Sequence, residues 1–287
     1  MTRRDALLLG AVGVTLPAHG ADVAISYPRH RSLPDPQQDY MLRLIKLALE
    51  HLQLSCHVEP GDVDMLQERT LAEMARGQGH VDLMWTMTNR SREAIGPLPV
   101  RIPLDKGLMG WRLLMVRADE LPRWRERRRL DQIRDLTAGQ GHDWPDTEIL
   151  RANGLRVGTS SAYDGLFRML ARGRIDYFPR SILEIDHELR VHANEGFAVV
   201  PQLMLYYPAT SYFFVKPQRR ALAEQLRLGL EAAIADGSMD ALFREQYGPL
   251  IARYRSHGRN ALMLKNPSLS AQTPLLRKEL WLAPGQG

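Results

Sequence analysis

From residue 22 onward, short apolar strands alternate with amphipathic helices, and this alternation most constrains what the chain can fold into. "DVAISY" reads as a strand. "DYMLRLIKLALEHL" then repeats apolar residues at helical spacing, putting Met41, Leu44, Ile45, Ala48, Leu49 and Leu52 on one face. "SCHVEP" is a second strand, and "TLAE" at 70–73 has the capping-box pattern of a short helix that stops at Gly77. "VDLMWTMT" is a third strand, and the chain turns extended from Arg101 to Val116. "GLRVGTSSAYDGLFRML" gives a strand, a turn and a helix whose capping box pairs Ser161 with Asp164. "RIDYF", "GFAVV" and "SYFFVK" read as strands and "SILEIDHEL" as a helix. The long helix "RRALAEQLRLGLEAAIADG" breaks at Gly237 and restarts at Ser238. Such an order predicts an α/β fold with largely parallel sheets.

At 287 residues and 44% hydrophobic, the chain holds enough apolar material for one large or two modest domains, which excludes a disordered class. The net charge of +5 is spread thinly, and nucleic acid is not an expected partner. "RWRERRRLDQIRD" is read as a solvated helix face with interleaved acids. The N-terminus "MTRRDALLLGAVGVTLPAHGA" has the layout of a secretory signal. Arg3 and Arg4 precede an apolar run from Ala6 to Leu16, and Ala18 and Gly20 are small residues placed for cleavage before Ala21. The run is too short to span a bilayer, so a soluble periplasmic protein is expected, with 1–20 as signal peptide. Sec and twin-arginine export both stay open, since "TRRDAL" resembles a twin-arginine signal with Ala6 in place of an aromatic.

Cys56 is the single cysteine, so no intramolecular disulfide forms, and it reads as a small buried hydrophobe. The nine histidines show no HExxH and no repeated pair at metal-ligand spacing; no metal and no cofactor are expected. "TAGQGHDWPDTEIL" lacks the third glycine of a dinucleotide fingerprint and is read as a cleft-edge loop, with Trp144 either packing it down or covering a ligand.

Taken in order, the exported N-terminus, "VDLMWTMTNRSREA", "LRVGTSSAYDGLFRML", "RGRIDYFPRS" and "LRLGLEAAIADGSMDALFREQYG" resemble the bacterial periplasmic solute-binding proteins of family 3, in an atypical subgroup carrying "DYFPR". The resemblance implies a two-lobed type 2 periplasmic-binding-protein (Venus flytrap) fold with a discontinuous first lobe. It assigns 21–110 and 212–255 to lobe 1, 111–211 to lobe 2 and 256–287 to an ordered tail over the surface, with hinge crossings near "GLMGWR" and "LYYPATS". Strand ends and helix N-termini would then face a common cleft.

Family members that bind amino acids hold the α-carboxylate with an arginine soon after a "T/S-x-T" strand end. "WTMTNRSRE" offers Thr86, Thr88, Arg90 and Arg92. A guanidinium suits this task because its planar fork bonds a carboxylate bidentately. Arg90 and Arg92 both stay open, as does pairing of either with a surface acid such as Glu93. Thr159 and Ser160, before a helix N-terminus, are candidates for an anion contact. The family's ammonium-binding aspartate falls at Ser181, preceded by Arg180, with Glu184 one turn later. That departure points to an anionic ligand with charge or acceptors at both ends, gripped by Arg180 and by Arg90 or Arg92. Tyr27, Trp85, Trp111 and Phe178 are the aromatic candidates, each equally well a packing residue; Tyr177, Tyr206 and Tyr207 are adjacent alternatives.

The expected function is a non-catalytic, monomeric receptor that captures a small ligand between its lobes for an ABC importer permease. A periplasmic dehydratase-like enzyme using Glu184 as acid–base group, and a ligand-presenting partner of a membrane sensor, are the alternatives.

Overall fold

The computed structural model describes residues 22–29, 35–61, 65–255, 258–282 and 284; the expected signal at 1–20 lies outside them. The chain opens with β1 (Val23–Tyr27), α1 (Gln38–Glu50), β2 (Cys56–Pro60), α2 (Gln67–Ala75), β3 (Leu83–Met87), α3 (Arg90–Ala94) and β4 (Leu98–Val100). It continues with β5 (Trp111–Arg117), α4 (Leu121–Trp124), β6 (Thr137–Gly141), α5 (Pro145–Ala152), β7 (Arg156–Ser160), α6 (Tyr163–Ala171), β8 (Phe178–Ser181), α7 (Ile185–Val191) and β9 (Phe197–Tyr206). β10 (Ser211–Val215), α8 (Arg220–Ala235), α9 (Ser238–Arg255) and β11 (Asn260–Met263) complete it. No helix of the described residues is long and apolar enough to cross a membrane.

Two lobes result. In the first, β2 pairs parallel with β1, and the Asp82 amide donates to the Ser26 carbonyl beside it. β10 returns antiparallel between β3 and β4. The buried face of α1, with Met41, Leu44, Ile45, Ala48 and Leu49, belongs to the core as its spacing predicts. In the second lobe β5 runs antiparallel to both β8 and β9, β11 joins β9 in parallel, and the β6–β7 pair is bridged to Tyr177 just before β8.

Several local expectations change. The sheets are mixed, not largely parallel, because apolar strand patterning reports burial and carries no record of direction. Thr70 lies inside α2, its hydroxyl donating to the Leu66 carbonyl, so no capping box opens there. α6 begins at Tyr163 with Ala162 at its cap, and the Ser160 hydroxyl serves the local turn by accepting from the Ala162 amide. The arginine-rich stretch is no helix face. α4 spans Leu121–Trp124 alone, with Trp124 buried against Tyr177, and the amides of Arg128 and Arg129 donate to the Gln132 side chain. "TAGQG" is strand β6, not a loop.

Two of the chain crossings between the lobes touch at Gly110, where a Cβ would lie 1.9 Å from the Tyr207 carbonyl oxygen. Only glycine permits that approach. Asp105, fully buried, ties the crossings by accepting from the Gly107 amide, the Thr210 hydroxyl and the Ser211 amide.

Candidate functional site

A cleft of about 550 Å³ lies between the lobes. Its lobe 1 wall carries Trp85, Thr86 and Arg92 together with Asp35, Gln37 and Gln67. Asn89 caps α3 by accepting the Arg92 amide at 2.7 Å, and this first turn swings the Arg92 side chain back along the end of β3. The guanidinium donates to the Thr86 hydroxyl (2.7 Å) and the Met87 carbonyl (3.0 Å), and across the cleft to the Asp143 carbonyl (3.2 Å). All three acceptors are neutral, and Nε has no partner. Burial pulls the Arg92 pKa below its ordinary value, with Asp143 and Glu68 opposing from a distance. Arg92 is therefore a buried cation held in place without a carboxylate against it.

The lobe 2 wall is built differently. Arg180 sits in β8 inside an aromatic box, its guanidinium carbon 4.9 Å from the ring centres of Trp144 and Phe178 and 5.8 Å from that of Tyr163. Glu188 accepts from it at 2.5–2.8 Å and Glu184 lies 3.1 Å away. Burial works against its charge, but Glu184 and Glu188 prevail and push the Arg180 pKa well up. Arg112, in β5, meets Asp146 at 2.7 Å and Glu184 at 3.6 Å. Burial raises the Glu184 pKa above the usual carboxylate range, against the pull of Arg180. Gly141 allows Trp144 to reach this box, since a Cβ there would lie 2.5 Å from the indole.

Of the residues singled out from sequence, Trp85, Thr86, Arg92, Trp144, Ser161, Arg180 and Glu184 line the cleft. The others stand elsewhere. Tyr27 backs Trp85 from behind, ring centres 5.3 Å apart. Thr88 is buried and donates to Glu93. Arg90 is exposed, bonding Pro267 in the C-terminal segment. Trp111 donates to the Leu282 carbonyl, on the opposite face of β5 from Arg112. Thr159 is exposed on β7, Ser160 is spent on its own turn, and Phe178 packs under Arg180. The expectation that "RIDYF" is the strand is corrected: the strand is "FPRS", buried along its whole length. Ser181 is buried too, its hydroxyl donating to the Leu108 carbonyl, and it does not line the cleft.

Sequence reasoning missed Arg112, Asp146, Tyr163 and Glu188. A charged residue inside the apolar run "WRLLMV" was the available signal for Arg112, because an arginine there must find acids. The lining groups Arg92, Arg112 and Arg180 face the carboxyl groups of Asp35, Asp143, Asp146, Glu184 and Glu188, so acids outnumber guanidiniums.

No protein-family model and no curated protein matches the sequence. Solved structures do match. An ancestral arginine-binding protein bound to arginine superposes with a TM-score of 0.55 at 12% identity, covering 79% of this chain and 98% of its own. The periplasmic VFT2 domain of BvgS from Bordetella pertussis gives 0.53 at 14% identity, covering 78% and 93%. A histidine kinase sensor domain with similarity to periplasmic binding proteins gives 0.54 at 14%, covering 79% and 96%. The chain thus has the two-lobed, type 2 periplasmic-binding-protein fold.

Proposed function

We propose that this chain is an exported, non-catalytic receptor that closes around a small polar ligand bearing a carboxylate and an amine-like donor group. The observation that carries this is Arg92, a buried cleft guanidinium bonded only to neutral acceptors, which a ligand carboxylate would complete. The acid excess on the facing wall favours a ligand with its own positive or donating end. Arg180 is already neutralised by Glu184 and Glu188, so the reading moves away from an anion charged at both ends. Arginine, bound by the ancestral protein of similar fold, has both groups. The partition into 21–110 with 212–255 and 111–211 is retained, as are a monomeric state, export to the periplasm and an importer or sensor as partner. A thermal-shift screen of the chain without residues 1–20 against amino acids, dicarboxylates and aromatic acids tests this. A true ligand at a hundredfold excess stabilises by about 2.7 kcal/mol. Hits restricted to compounds lacking a carboxylate, or to dicarboxylates lacking an amine, would sink the reading.

One observation favours a second reading, a dehydratase-like enzyme: Glu184 lines the cleft with a raised pKa, as a general acid requires. Turnover of prephenate or a related cyclic acid, abolished in Glu184→Gln, would establish it.

A further inference from the structure

The segment after α9 was expected to lie over the surface, yet its bonds alternate between the two lobes. In lobe 2, β11 pairs with β9, and Asn153 at the end of α5 holds Lys265 from both sides, donating to its carbonyl (2.7 Å) and accepting its amide (3.0 Å). At the crossings, the Asn266 side chain donates to the Pro208 carbonyl (2.8 Å). In lobe 1, the Arg90 amide donates to the Ser268 carbonyl (2.8 Å) and its guanidinium to the Pro267 carbonyl (2.9 Å). Farther on, Arg277 forks onto Glu231 of α8 at 2.6 and 3.0 Å, and Leu282 returns to the crossings, bonding Lys106 and Trp111.

From these contacts we infer that residues 258–282 form a strap that limits how far the lobes open and so sets the fraction of molecules closed before ligand arrives; the inference rests on the receptor reading above. The step from one lobe to the other is short. Lys265 is fixed at the end of α5 and Ser268 to α3, and the three residue steps between those anchors, through Asn266 and Pro267, span at most about 11 Å when fully extended. α3 and the turn that leads into α5 meet across the cleft mouth, where Arg92 donates to the Asp143 carbonyl; Asn153, which holds Lys265, stands at the other end of α5. Opening that carries α5 away from α3 draws this link taut and then breaks an anchor. A second tie lies at the end of α9, where the Tyr254 hydroxyl donates to Asp186 of α7 at 2.5 Å. Because apparent affinity scales with the competent fraction, the strap raises affinity by reducing the open population.

The test slackens the strap without removing a residue. Six Gly/Ser residues are inserted between Asn266 and Pro267, alone and combined with Asp186→Ala, and ligand-free small-angle scattering is compared with that of the unmodified chain. The radius of gyration should rise by about 1 Å over the ~18 Å of a folded chain of this length. Scattering unchanged in both variants overturns the strap. Circular dichroism confirms that each is folded, and Asn153→Ala with Asn266→Ala is the fallback pair, removing side-chain anchors only. If the variants expand but nothing in the thermal-shift panel binds, the strap stands and the receptor reading falls. If a compound binds and the variants scatter as the parent does, the strap falls alone.

Discussion

Arg92 and Arg180 stand on opposite walls of one cleft, 1% and 3% exposed, and differ in what surrounds them. Arg92 meets a hydroxyl and two carbonyls. Arg180 meets two glutamates and three aromatic rings. A buried charge closed by carboxylates is a structural element, whereas one held by neutral acceptors keeps unspent attraction for an anion. The difference in partners, at equal burial, separates the wall that organises the cleft from the wall that grips.

The largest effect should come from Arg180→Met, which leaves Glu188 buried without its cation and Glu184 with Arg112 alone. Urea unfolding followed by tryptophan fluorescence should show a loss of about 3–5 kcal/mol. A loss under about 1 kcal/mol would erase the contrast. Arg92→Met should do the opposite: stability within about 1 kcal/mol of the parent, but affinity for the screened ligand reduced at least a hundredfold, or about 2.7 kcal/mol, by calorimetry. Stability lost without affinity would make Arg92 the structural residue.

A subtler effect is pH dependence through Glu184. Its pKa in the folded chain is raised by burial, so the folded state holds this proton more tightly than the unfolded one. The stability it contributes is present below its ordinary pKa and fades as pH rises through the folded value. Glu184→Gln removes that term, so the variant should gain on the parent as pH rises above the ordinary carboxylate pKa of about 4, measured by parallel urea melts. A difference that stays flat or shrinks would contradict the sign. The smallest change belongs to Arg90→Ala: the bond to the Pro267 carbonyl goes but the Arg90 amide still holds Ser268, so urea melts and calorimetry should each show a shift of less than about 1 kcal/mol.

The main architecture was legible because burial periodicity is local. The face of α1, the break at Gly237 and the order of strands and helices all follow from residue spacing. Half of the site was legible through the family resemblance, which expected an arginine soon after the "T-x-T" strand end, Arg90 or Arg92, in the cleft. The other half was not. Arg112 and Asp146 reach Arg180 and Glu184 from strands and helices far apart in sequence, and no spacing rule brings them together. Arg90 and Arg92 looked equivalent until the helical turn of α3 sent one to the cleft and the other to the strap.

The sequence by itself determined the α/β alternation, the helix faces and the presence of arginines beside strand β3, since these depend on propensity and on neighbours within a few residues. Tertiary structure alone decided strand direction, the pairing of Arg112 with Asp146 and Glu184, and the course of residues 258–282 across both lobes. Each of these depends on which distant groups a folded chain desolvates together, and the energy of a buried charge is set by those groups and not by the residues beside it in sequence.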